Sequence, residues 1–136
     1  MVCAPCSDNS AACAVRAMKY TIGDLLLEVE DALDRFWFVR DIVIIDQTEA
    51  TVTAHLIIDP NLFVQAFLSE RSQRLSFALV GQSRRLYGRD REHGAWHRHP
   101  FSQPEQHEPT PEGMSARPLT QFMAEVAQIL LAHDLL

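Results

Sequence analysis

The sequence predicts an α+β fold: an antiparallel meander of about five strands, with an N-terminal and a C-terminal helix packed on one face. Three observations point to it. One amphipathic stretch with a helix-start signal opens the patterned part of the chain, and a second closes it. Between them lie short β-rich runs, several with apolar and polar residues alternating. The links between those runs are only two to five residues long. A parallel crossover needs a dozen residues or more, so links this short join antiparallel neighbours.

The first helix starts at Thr21, where T-x-x-D forms a capping box with Asp24 at its third helical position. Leu25, Leu26, Val29, Ala32, Leu33 and Phe36 recur at three- and four-residue spacing, which gives one apolar face from about Ile22 to Phe36. Strands are then expected at Arg40–Asp46, Thr51–Ile58, Phe63–Ser69, Arg74–Val80 and Leu86–Asp90. Asp59-Pro60-Asn61 marks one turn, because proline presets the backbone and the flanking side chains bond locally. Gly81-Gln82-Ser83 marks another. Residues Arg91 to Arg117 are rich in Pro and Gly and predict one long irregular connection. Pro118 suits the first position of a closing helix, whose stripe is Leu119, Phe122, Met123, Val126, Ile129 and Leu130.

The 136 residues suit one domain, and the 47% hydrophobic content is enough for a core. No apolar run approaches the ~18 residues of a membrane helix, so a soluble, cytoplasmic protein is expected. Residues 1–17 differ from the rest, being rich in Ala, Ser and Cys and without period; they are expected to form a disordered extension before a domain of residues 18–136. Cys3 and Cys6 make a CxxC with Cys13 seven residues on, but no fourth zinc ligand and no preceding strand accompany them. The formal charge of −6 argues against indiscriminate DNA coating, yet it is unevenly spread. Seven arginines between Arg71 and Arg98 face only Asp90 and Glu92, a local excess of five. That excess would suit a phosphate or RNA; it would equally suit pairing with the acidic first helix or a solvated sheet face.

The chemistry-bearing residues concentrate at Trp96-His97-Arg98-His99-Pro100-Phe101. In an extended chain His97 and His99 share one side, and Trp96 and Arg98 the other. Two imidazoles on one side would serve as general base and general acid. RNA cleavage without metal needs little more: one group takes the 2′-hydroxyl proton, another protonates the leaving oxygen, and arginines stabilise charge on phosphorus. On this reading His97, His99 and Tyr87 are catalytic, and Arg85, Arg89, Arg98 and Trp96 bind substrate. Two other readings stay open. The histidines would ligate a metal with His93, His107 or Asp90 as third ligand, or they would be satisfied structurally while Trp96 and Phe101 anchor the loop. The chain has no Gly-rich phosphate loop, no HExxH and no nucleophile elbow, and no cofactor is expected.

At LSFALVGQSRRLYGRD, GAWHRHPF and the Pro-rich link into a terminal helix, the sequence resembles the TumE-like toxins of prokaryotic type II toxin–antitoxin pairs. The matching positions are Arg85, Tyr87, Asp90, Trp96, His97, His99 and Pro100, and the resemblance covers about residues 20–135. It implies a toxin-like protein with a cognate antitoxin more than it implies a reaction. Combined with the residue reading, the expectation is a metal-independent ribonuclease acting on RNA. The alternatives are a non-catalytic protein-binding module and a metal-dependent hydrolase. Nothing in the residues sets the oligomeric state.

Overall fold

A computed structural model of the chain describes residues 19–111 and 113–136. Residues 1–17, with Cys3, Cys6 and Cys13, lie outside the described residues. The elements in order are α1 (Ile22–Arg35), β1 (Asp41–Gln47), β2 (Thr51–Asp59), β3 (Leu62–Ser69), β4 (Arg74–Gly81), β5 (Arg84–Glu92), β6 (Ala95–His99), β7 (Glu108–Pro109) and α2 (Pro118–Ala132). The strands form one antiparallel sheet in sequence order, so the meander holds, but it has seven strands rather than about five.

The two additional strands come from the segment expected to be irregular. They carry little apolar alternation, and the signal for β6 is instead the turn that precedes it. His93 and Gly94 both have positive φ, at 53° and 79°, as the tight turn of a two-residue hairpin requires. The β4–β5 turn is made the same way by Gln82 and Ser83, at 50° and 66°, while Gly81 belongs to β4.

Alternation decides which face is covered. Val52, Ala54, Leu56 and Ile58 of β2, Leu62, Val64, Ala66 and Leu68 of β3, and Leu75, Phe77 and Leu79 of β4 are all buried. They join Leu25, Val29 and Ala32 of α1 and Leu119, Phe122, Met123, Val126 and Leu130 of α2 in one core. Both helices therefore cover the same face. Burial of such side chains contributes roughly 1.5–3 kcal/mol each, which makes this face the main source of stability. The uncovered face holds half-buried Thr53, His55, Phe63, Gln65 and Phe67; there His55 stacks on Phe63 at 4.2 Å and bonds Gln65 at 2.9 Å.

The helix ends are tied together. Thr21 and Asp24 form the reciprocal capping box at the start of α1. The start of α2 has no cap of its own, and Glu28 of α1 supplies one. Its Oε1 accepts from the Thr120 amide at 2.8 Å and hydroxyl at 2.9 Å, and its other oxygen accepts from Tyr20. A buried carboxylate with three donors is satisfied, which is why Glu28 sits in the interior at 5% exposure. Among the described residues no helix is long and apolar enough to cross a membrane.

Candidate functional site

The pleat sends the residues of β5 and β6 to two different environments. His97 lies opposite Asp90 and His99 opposite Gly88 on the uncovered face. Arg98 lies opposite Arg89 and Trp96 opposite Arg91 on the helix-covered face, where Tyr87 pairs with Leu79. His97 and His99 thus share a side as expected. Tyr87, Arg89, Arg98 and Trp96 do not join them.

On the uncovered face a hydrogen-bonded chain fixes the centre of the cluster. Ser76 of β4 donates to Asp90 at 2.7 Å, and Asp90 Oδ2 meets His99 Nε2 at 2.9 Å. His99 Nδ1 lies 2.8 Å from the Pro104 carbonyl oxygen. A carbonyl only accepts, so Nδ1 is the donor in that bond, and the Asp90 carboxylate is the partner of Nε2. Both nitrogens of this 4%-exposed ring are therefore engaged. His107 packs edge-on against His99 with centroids 4.3 Å apart, and its ring lies 6.0 Å from that of His97. His97 is half-buried and His107 exposed, and among the described residues neither ring makes a hydrogen bond. Arg85 comes to the same place across Gly88. A Cβ on Gly88 would lie 3.1 Å from the Phe77 carbonyl oxygen, 3.3 Å from Arg85 Cδ and 3.6 Å from His99 Cδ2. The missing side chain is what lets the arginine stem and the imidazole converge.

The covered face carries a different network. Arg89 is 5% exposed and donates from Nε and Nη2 to both oxygens of Glu125 in α2, at 3.1 and 2.7 Å. Tyr87 donates to the same carboxylate at 2.7 Å. Burial, reinforced by the bond to Glu125, pushes the Tyr87 hydroxyl up to about 12. Burial also weighs against the Arg89 charge, but Glu125 outweighs it and leaves the guanidinium more firmly protonated. Its Nη1 is buried without a partner. Arg98 bonds Glu108 from Nε and Nη2, at 2.9 and 2.6 Å. Arg91 bonds the Gln73 carbonyl at 3.0 Å and lies over the Trp96 ring at 5.6 Å. Trp96 also borders a cavity of about 610 Å³ with Tyr20, Glu28, Arg91 and Arg117.

The arginine excess is accordingly not one surface. Arg89, Arg98 and Arg71 have carboxylate partners in Glu125, Glu108 and Glu49, none of them in α1. Of the expected substrate-binding arginines, Arg85 alone stands with the histidines. Ser76, Asp90 and His107 belong to the cluster and were not among the expected catalytic residues. The His93-Gly94 turn is the signal that places Asp90 opposite His97; Ser76 and His107 have none, since they come from separate elements. Among the described residues no group of three or more His, Cys, Asp or Glu side chains has an arrangement suited to a metal ion. Comparison with protein-family models, characterised proteins and solved structures finds no match.

Proposed function

We propose that the uncovered face of β4–β6 is an acid–base site for metal-independent cleavage of RNA, in a toxin-like protein of a toxin–antitoxin pair. One observation carries this reading. Three imidazoles meet on the open face, with His99 anchored at both nitrogens while His97 and His107 keep theirs free of other bonds among the described residues. His97 and His107 are then the groups that exchange protons with the 2′-hydroxyl and the leaving oxygen. Arg85 stabilises charge on the phosphate, and His99 becomes a positioning residue held by Asp90 and Ser76. The toxin role rests on the family resemblance of the WHRHP segment.

The test is induced expression of the wild type beside His97→Ala and His107→Ala, scoring growth and RNA integrity, with purified proteins assayed on RNA in EDTA. The expected result is arrest with RNA breakdown that persists in EDTA and falls about 10²–10⁴-fold in either variant. Melting temperatures of the variants should stay near wild type, since neither ring holds a hydrogen bond among the described residues. Full cleavage by the combined His97→Ala/His107→Ala protein would sink the reading. Activity lost in EDTA and restored by a divalent metal would replace it with metal-dependent hydrolysis.

A further inference from the structure

The cavity of about 610 Å³ beside Trp96 lies where the start of α1, the start of α2 and the β5–β6 hairpin come together. Its size falls within the range of about 300–1,000 Å³ typical of pockets that take small molecules. Of the described residues, two carboxylates and three cations border it. Both carboxylates are occupied from within the chain. Glu28 accepts from Tyr20 and twice from Thr120, and Asp24 accepts from the Thr21 amide. Of the cations, Arg117 is paired with Asp31 at 2.9 Å. Arg91 is held differently. Its Nε and Nη2 donate to the carbonyl and side-chain oxygens of Gln73, at 3.0 and 3.3 Å, and both acceptors are neutral. Among the described residues neither Arg91 nor the exposed Lys19 has a carboxylate within ion-pair distance. Burial weighs against the Arg91 charge, and no carboxylate offsets it. A half-buried guanidinium held only by neutral oxygens is where an added anion gains most.

We propose that this cavity binds a small organic anion, whose acidic group meets Arg91 and Lys19 while its apolar body packs against Trp96, Leu27 and Met114. All five residues line the same space. A carboxylate, a sulfonate or a phosphate would each supply the oxygens that a guanidinium fork takes. The apolar part of the wall selects a ligand with a ring-sized body over a bare inorganic ion. The inference is independent of the histidine chemistry, because Arg91 and Trp96 lie on the helix-covered face and the histidine cluster on the other.

Fluorescence titration of the full chain with anilinonaphthalene sulfonate, a planar apolar anion, tests it, with circular dichroism to establish that each variant is folded. The wild type should bind the sulfonate at a single saturable site. Phenylnaphthylamine, which has the same rings without the sulfonate, should bind about ten-fold more weakly or worse. Arg91→Gln should weaken the sulfonate about ten-fold or more, and Lys19→Glu, at an exposed position, about three-fold or more. Both variants should leave the neutral analogue unchanged. A folded wild type that does not bind the sulfonate would overturn the proposal. So would equal affinity for the neutral analogue. Sulfonate binding unmoved by Arg91→Gln and Lys19→Glu would also overturn it, and would put the probe on an exposed apolar patch such as Val43, Ile44 and Ile45. Because Lys19 is a surface side chain ahead of α1, its charge reversal stays informative even if Arg91→Gln fails to fold.

Discussion

The two faces of the β5–β6 hairpin are built from alternate residues of the same short segment, yet they do opposite things. The covered face brings Tyr87 and the buried Arg89 onto the partly exposed Glu125 of α2. The uncovered face brings Asp90 and His99 together and leaves His97 and His107 at the surface. A run of basic and aromatic residues therefore reads as one site in sequence and becomes two in space. The covered half holds the sheet to its closing helix, and the open half leaves the rings of His97 and His107 without a hydrogen bond among the described residues.

The sharpest way to break that contrast is to remove the carboxylate on the covered side. Glu125→Ala leaves the Arg89 charge buried and unpaired, and should destabilise the fold by about 3–5 kcal/mol in denaturant titration. A loss below ~1 kcal/mol would mean that Arg89 turns out to solvent once Glu125 is gone. On the open side Asp90→Ala strips His99 and Ser76 of their shared acceptor, and should lose about 1–3 kcal/mol. RNA cleavage should fall with it, and His99→Gln should reproduce most of both effects. A smaller change separates the faces by pH. Tyr87 has its hydroxyl pushed up to about 12 in the folded chain against about 10 when unfolded. The fold thus disfavours the phenolate, so this contribution is complete below pH ~10 and is lost as pH rises toward ~12. Tyr87→Phe should flatten that part of the alkaline unfolding curve and leave neutral-pH cleavage intact. Unchanged alkaline behaviour would show that Tyr87 ionises as freely folded as unfolded.

Local signals carried much of this fold. The capping box at Thr21 and Asp24 starts α1 where it was expected, because both partners lie within one turn. Alternation placed β2 and β4 to within a residue, since period-two burial is written in consecutive positions. The segment from Arg91 to Arg117 reads as irregular because β6 is held by backbone pairing to β5 and β7 by pairing to β6, not by an apolar pattern of their own. Neither His97 nor Arg98 is apolar, so hydrophobic periodicity passes over β6 altogether. The candidate site was legible as a location. The shared side of His97 and His99 follows from the pleat alone, and so does the separation of Arg98 from them.

By itself the sequence determined the order of the elements, the antiparallel meander and the residue types that crowd into β5 and β6. Each of these depends on neighbours a few positions apart or on loops too short for any other connection. Only the tertiary structure decided which side chains meet. Ser76 reaches Asp90 across 14 positions, Arg89 reaches Glu125 across 36, and Glu28 caps α2 across 92. Contacts of that span depend on sheet register and helix placement, which the packing of the whole core sets, and no local pattern encodes them.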